Sequence, residues 1–229
     1  MLIISTTIHY FKCQSALNSM NYHFPHCIEL NNGNILIVFK EGIFIYNSEL
    51  SSEINTIPYE SDFSIGENDL NLINLSKFND GVIISIIKTY LYIFSSSGEY
   101  IYHINLSEDL QTAYYYSLVP HKIIGYNYYY AIIYMDSSNK LNISYYNVNI
   151  NDKSNNRVDN LQYSHTDSSY HIDSNTGVAC ELTSSLNNEN ILACFYEITW
   201  PNALAATSFN LDISISQNNN IPIIYKSNE

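Results

Sequence analysis

Residues 26–50 read HCIELNNGNILIVFKEGIFIYNSEL. The stretch is a short apolar run, an Asn-Asn-Gly turn, a strongly apolar run (Ile35 to Phe39), and then an alternating run over Ile43 to Tyr46. Asn and Gly accept positive φ, so Asn31-Asn32-Gly33 between apolar runs is a hairpin signal. The run ILIVF has no polar face, which predicts a strand covered on both sides. IFIY alternates, which suits a position nearer solvent.

The same pattern returns three times, in residues 70–104, 115–150 and 178–212. Anchored on their second strands, the four repeats begin at Asn34, Val82, Tyr129 and Ile191, spaced 48, 47 and 62 residues apart. Each second strand is apolar on both faces (ILIVF, VIISII, YYAIIYM, ILACFY). Asn79-Asp80-Gly81 repeats the first turn, and SSSGEY and DSSNK supply others. The third strands alternate more, so burial is expected to fall from inner to outer strands.

Composition agrees with an all-β chain. Among 229 residues there are 31 Asn, 33 Ile and 22 Tyr. Ile and Tyr suit pleated surfaces and Asn suits turns. Part of this bias reflects AT-rich codons, so many Asn are loop filler. With 9 Lys+Arg against 22 Asp+Glu the net charge is -13, which argues against nucleic acid or an anionic membrane as partner. The longest apolar runs fall far short of the roughly 18 residues of a membrane span. The N-terminus makes a poor signal peptide, since Ser5, Thr6, Thr7 and His9 break its apolar stretch.

A period near 48 falls in the range of propeller blades, and the pattern resembles a β-propeller. It carries no WD-repeat, kelch or Asp-box signature, and a cysteine-stapled hairpin in an Asn- and Ile-rich chain is similar to secreted apicomplexan propellers in architecture and composition only. The resemblance implies one β-propeller-like domain over residues 1–229 with about four blades at 20–60, 68–107, 113–150 and 177–215, and a polar insertion at 149–177. Either the two tails combine into a closing blade or the chain is part of a larger ring. A β-sandwich or solenoid is the alternative architecture.

Cys180 and Cys194 are symmetric about Asn187, in the turn of the fourth hairpin, and directly opposed residues of a hairpin lie within disulfide reach. The same symmetry pairs Leu182 with Leu192 and Ser184 with Asn190 on one face. Cys13 and Cys27 have the same separation and are the second candidate pair. Disulfides would imply an extracellular or cell-surface location; four reduced thiols would fit a cytoplasmic one. The sequons at Asn74, Asn105 and Asn142 permit an extracellular home.

The polar insertion is the expected least-ordered segment. In it His165, Asp167, His171 and Asp173 share one parity and would project to one side of a strand, where His and Asp can ligate a divalent metal. A solvated loop in which two His and two Asp fall near each other is the favoured reading, and no metal is expected. Asp173-x-Asn175-x-Gly177 opens like a calcium loop but has Ser184 where a bidentate Glu belongs. Glu67 with Asp69 and Glu108 with Asp109 read as solvated turn carboxylates. Trp200 falls in a loop after the fourth second strand and is a candidate ligand contact, packing against a neighbouring blade being the bland reading. No nucleophile elbow or phosphate loop is present, so no catalytic residue and no cofactor are assigned. The expected function is a non-enzymatic domain that binds another protein or a ligand. The alternative is a carbohydrate-active or hydrolytic propeller with its site in the central channel; with Arg157 as the single Arg, an arginine-triad site is excluded in this chain.

Overall fold

The computed structural model describes residues 26–39, 42–59, 72–110, 113–136, 140–163, 171–172, 178–184, 190–200, 202–211 and 223–226. The chain forms two compact units, 1–105 and 106–229. Each holds two antiparallel sheets.

In the first unit, β1 (His26–Glu29), β2 (Ile35–Val38), β3 (Ile43–Tyr46) and β4 (Glu53–Ile57) form sheet A in that order. Sheet B follows with β5 (Ile73–Lys77), β6 (Ile83–Ile87), β7 (Tyr90–Phe94) and β8 (Tyr100–Asn105). Leu30, Leu36, Val38, Ile43 and Ile45 meet Ile73, Ile83, Ile87, Tyr92 and Phe94 in one core. The inner strands β1 and β5 lie side by side.

The hairpin turns lock the two sheets together. Asn31 donates its backbone N–H to Ser96 O at 3.0 Å and its amide Nδ2 to Asp80 O at 3.2 Å. The turns at Gly33, Gly81 and Gly98 share one construction, with φ of 83°, 97° and 90°. Gly81 must be glycine for a second reason: a Cβ there would sit 2.1 Å from the Asn31 amide and 2.7 Å from Ser96 Cβ. At Gly33 the same atom would meet open space. Gly33→Ala is therefore expected to cost only backbone strain, about 1 kcal/mol, and Gly81→Ala at least about twice that. Urea unfolding midpoints of the two variants check this; equal shifts would refute the docked turn.

The second unit opens with a short helix, α1 (Ser107–Leu110). Sheet C comprises β9 (Ala113–Ile124), β10 (Asn127–Asp136), β11 (Leu141–Asn149) and β12 (Ser154–Tyr163). Sheet D runs from β13 (His171–Ile172) and β14 (Ala179–Ser184), both on β15 (Asn190–Trp200), through β16 (Asn202–Asn210) to β17 (Ile223–Lys226). Val119, Ala131, Ile133 and Tyr145 of sheet C pack on Leu192, Cys194, Tyr196 and Phe209 of sheet D. The inner strands β9 and β14 are again neighbours, and the Ser117 hydroxyl accepts from Cys180 N–H at 3.1 Å.

The fold is all-β, in four sheets, as the repeat predicts. Three details differ. Each sheet has a fourth, outer strand, and β12 occupies the first half of the expected polar insertion. A strand at a sheet edge, open to solvent, needs no apolar run, so SNNRVDNLQY carries little hydrophobic signal. The third strands β7 and β11 are buried almost throughout rather than alternating, because both faces are covered. Of the second strands, β2 and β6 are buried at every position and β10 nearly so, but β15 is buried only on the face carrying Leu192, Cys194 and Tyr196.

Candidate functional site

Sheet C presents one turn unlike the others. β9 and β10 are joined by Gly125-Tyr126, with Ile124 and Asn127 in register. Gly125 has φ +61°, and glycine at the first of two turn positions is the type II′ arrangement that matches strand twist. The turn is held from three sides. Asn127 Nδ2 donates to Ile124 O at 3.3 Å, Ile150 N–H to Tyr126 O at 3.1 Å, and Asn149 Nδ2 to Asn127 Oδ1 at 3.1 Å. This framework holds out two large apolar side chains, Ile124 at 56% and Tyr126 at 63% exposure. Where the first two repeats place Asn-Asn-Gly and Asn-Asp-Gly, the third places Ile-Gly-Tyr. The difference is legible in HKIIGYNYYY, where composition alone assigns the tyrosines only to strand positions. Beneath the tip, Lys122 Nζ lies 5.6 Å from the Tyr129 ring centre, and Tyr129 stacks on Tyr145 at 6.0 Å. The Tyr145 hydroxyl and His121 Nδ1 share a hydrogen bond.

A second polar cluster centres on Asp109 in α1. Its carboxylate accepts from the Tyr146 hydroxyl at 3.0 Å and pairs with Arg157 of β12, while its backbone carbonyl accepts from the Tyr134 hydroxyl at 3.2 Å. Tyr146 stacks on Tyr130 at 5.4 Å, and the Tyr130 hydroxyl donates to Asn155 Oδ1. Asp109 is thus a half-buried anchor rather than a solvated turn carboxylate; its neighbour Glu108 is exposed. Sequence reading missed the cluster because its members lie up to 48 residues apart.

Burial, then the Asp109 charge, pushes the Tyr146 phenol well above its usual value; burial, then Tyr134 beside it, does the same to Tyr116. Both rings are held neutral in the folded state and are released to titrate near pH 10 on unfolding. The stability this represents is intact below about pH 10 and is lost as pH rises beyond it. Phenolate absorbance should therefore grow together with loss of the strand circular-dichroism signal, and Tyr146→Phe should move that transition upward. Free titration of every tyrosine near pH 10 with unchanged dichroism would refute this.

The residues singled out from sequence divide between the described strands and the stretches outside them. His165, Asp167, Asp173 and Cys13 lie outside the described residues, as do Glu67 and Asp69. His171 lies in β13 with its backbone in register with Trp200. Trp200 is the last residue of β15 rather than a loop residue, because β15 extends past β14 to pair with β13. Cys180 and Cys194 are joined as a disulfide, with Leu182 opposite Leu192 and Ser184 opposite Asn190. Cys27 is half-buried on β1 opposite Ile37. Asn142 is buried on β11, which makes that sequon a poor acceptor. Among the described residues no three His, Cys, Asp or Glu gather as a metal site requires, and no helix is long and apolar enough to cross a membrane.

No protein-family model matches the chain, and no curated protein matches it in sequence. Solved structures do. The β-propeller domain of Nup133 from Vanderwaltozyma polyspora matches with a TM-score of 0.55 at 14% identity, over 90% of this chain and 64% of that one. The fold is all-β, built of propeller-like blades. The fission yeast SREBP–SCAP binding domains, in complex, match at 0.52 and 11% identity, over 91% of this chain and 49% of that one. The WD40 domain of fission yeast SCAP matches at 0.50 and 11%, over 90% and 43%. The chain therefore spans between two fifths and two thirds of the propellers it resembles, and at these identities the likeness speaks to fold alone.

Proposed function

We propose that this chain is a non-enzymatic protein-interaction propeller domain that uses the Ile124-Gly125-Tyr126 tip as a contact point. The observation that carries this is the tip itself: two exposed apolar side chains on a turn already held in place by backbone and side-chain hydrogen bonds. Binding through such a turn loses little ordering entropy, and a large aromatic filling a pocket is the usual energetic anchor of an interface. Asp109, Arg157 and Tyr146, the group nearest in kind to a catalytic cluster, satisfy one another and act as a clamp. One of the similar solved structures is itself a complex of two proteins' binding domains, which supports the same use of the fold here. The charge of -13 favours a partner without a strongly acidic face. The Cys180–Cys194 disulfide supports an extracellular or cell-surface setting.

Cross-linking of the full chain to its native milieu, followed by titration of the identified partner, tests the reading. Tyr126→Asp is expected to weaken binding at least about tenfold. Val158→Asp, an equally exposed site on β12, is expected to leave it unchanged. A saturable partner indifferent to Tyr126→Asp would overturn the assignment of the tip.

A further inference from the structure

Of the three Asn-x-Ser sequons, the fold leaves one open. Asn142 is 5% exposed within sheet C, opposite Tyr134 and Gln162, with its Nδ2 donating to Lys140 O at 3.2 Å. Asn74 is half-buried on the inner strand β5, opposite the wholly buried Ile86. Asn105 differs. It is the last residue of β8, exposed, on the edge strand of sheet B. Past it the chain turns at Leu106, whose carbonyl accepts from the Asp109 and Leu110 N–H groups at 3.0 Å each, and Ser107 opens α1. The sequon Asn105-Leu106-Ser107 therefore straddles a strand end and a turn.

We infer that Asn105 carries an N-linked oligosaccharide, which covers the aromatic surface of β8 beside it. The inference rests on the extracellular or cell-surface setting proposed above, since the secretory route supplies the donor. That donor is an oligosaccharide held through its C1 on a lipid diphosphate. The Asn105 Nδ2 forms a bond to C1 and gives up one proton, the C1–O bond breaks, and the lipid diphosphate leaves with the bonding pair. Transfer takes place on the extended chain, so the fold decides which modified asparagine is then accommodated. A sugar on Asn142 would hold open a buried position, and chains modified there would not complete sheet C.

Two features suit a sugar at Asn105. The first is the amide. Its Nδ2 donates to the Tyr90 hydroxyl at 3.4 Å, and a glycosylated amide keeps one N–H for that contact. The second is a row of rings on the same face of the β7–β8 ladder. The register sets Tyr90 opposite Asn105 and Tyr92 opposite His103. Tyr90 meets His103 edge-on at 5.7 Å, and His103 stacks on Tyr100 at 6.2 Å, where its Nδ1 and the Tyr100 hydroxyl share a hydrogen bond at 2.6 Å. Tyr100, at the far end of this row, is 41% exposed. Sugar C–H groups pack on the negative faces of aromatic rings, so the first residues of the glycan have an apolar bed. Bare, YIYHIN is an edge strand of high β-propensity without Pro, Lys or an acidic residue, the kind that pairs with other chains. A bulky hydrated group at its end opposes such pairing.

Mass mapping of the full chain, purified from the cells that make it and digested without reductant, tests this. Peptide N-glycosidase is expected to convert most of Asn105 to aspartate, to leave Asn74 and Asn142 as they were, and to raise the mobility of the intact chain by one glycan. Asn105→Gln and Ser107→Ala, made in the same cells, should each abolish that shift with unchanged circular dichroism. Ser107→Ala keeps the Asn105 amide and its contact to Tyr90, so agreement of the two variants assigns the shift to the sequon. Both should aggregate at lower concentration than the glycosylated chain. An unmodified Asn105 in a chain whose Cys180–Cys194 peptide is linked overturns the inference and leaves the proposed setting standing. An unmodified Asn105 in a chain with both thiols reduced overturns both. A glycan on Asn142 of the folded protein also overturns it, and equal aggregation of the glycosylated chain and Asn105→Gln overturns the shielding of β8.

Discussion

Asp109→Ala is expected to destabilise the second unit by about 2 to 3 kcal/mol. The charge pair with Arg157 accounts for little of this: the two side chains are 25% and 46% exposed, and exposed pairs contribute at most about 1 kcal/mol. The larger part comes from Tyr146, a buried ring whose hydroxyl loses its acceptor. A buried donor left without a partner costs about 1 to 3 kcal/mol. Three companion variants separate these contributions. Asp109→Asn keeps an acceptor and should recover most of the loss. Arg157→Ala should cost under about 1 kcal/mol. Tyr146→Phe removes the donor that Asp109→Ala would orphan, so the double variant should be more stable than the two single losses added together. Thermal unfolding checks it, with a drop of roughly 5 to 10 °C for Asp109→Ala. Additive losses would show that α1 is not anchored through Tyr146.

The second large effect belongs to the Cys180–Cys194 bridge. Replacing both cysteines by alanine is expected to cost up to about 3 kcal/mol, the chain-entropy value for a loop of roughly 15 residues. Cys194 is wholly buried beside Leu192 and Tyr196, so the lost sulfur contacts add to the entropic part. Reductant should lower the unfolding midpoint of the wild type toward that of the double variant and leave the double variant unmoved. Mass spectrometry of a non-reduced digest should show the 180–194 linked peptide. Full alkylation of both thiols in denaturant without reductant would refute the bridge and remove the support for an extracellular setting.

The two predictions differ in how they became visible. The disulfide register was legible from the sequence because a hairpin is a local object. Once Asn187 is the turn centre, period-two alternation dictates that 180 opposes 194 and 182 opposes 192, and the observed register is that one. The Asn-Gly turns were legible for a related reason: positive φ is a property of the residue, and Gly33 and Gly81 adopt it where expected. Two-faced apolarity likewise foretold the burial of β2 and β6, since a strand with no polar face must have cover on both sides.

What the sequence alone could not determine depends on neighbours distant along the chain. The polar outer strand β12 forms because β11 offers an open hydrogen-bonding edge, a fact about β11's position in the sheet rather than about SNNRVDNLQY. Asp109, Arg157 and Tyr146 become one cluster only when β11, β12 and α1 are folded together. β15 shows the limit most sharply. ILACFY is as apolar as ILIVF, yet Phe195 is exposed where Ile37 is buried. Alternation fixes which side chains share a face, and local backbone geometry is enough for that. Whether a face is buried is set by whether another sheet lies against it, and that is settled only by tertiary structure.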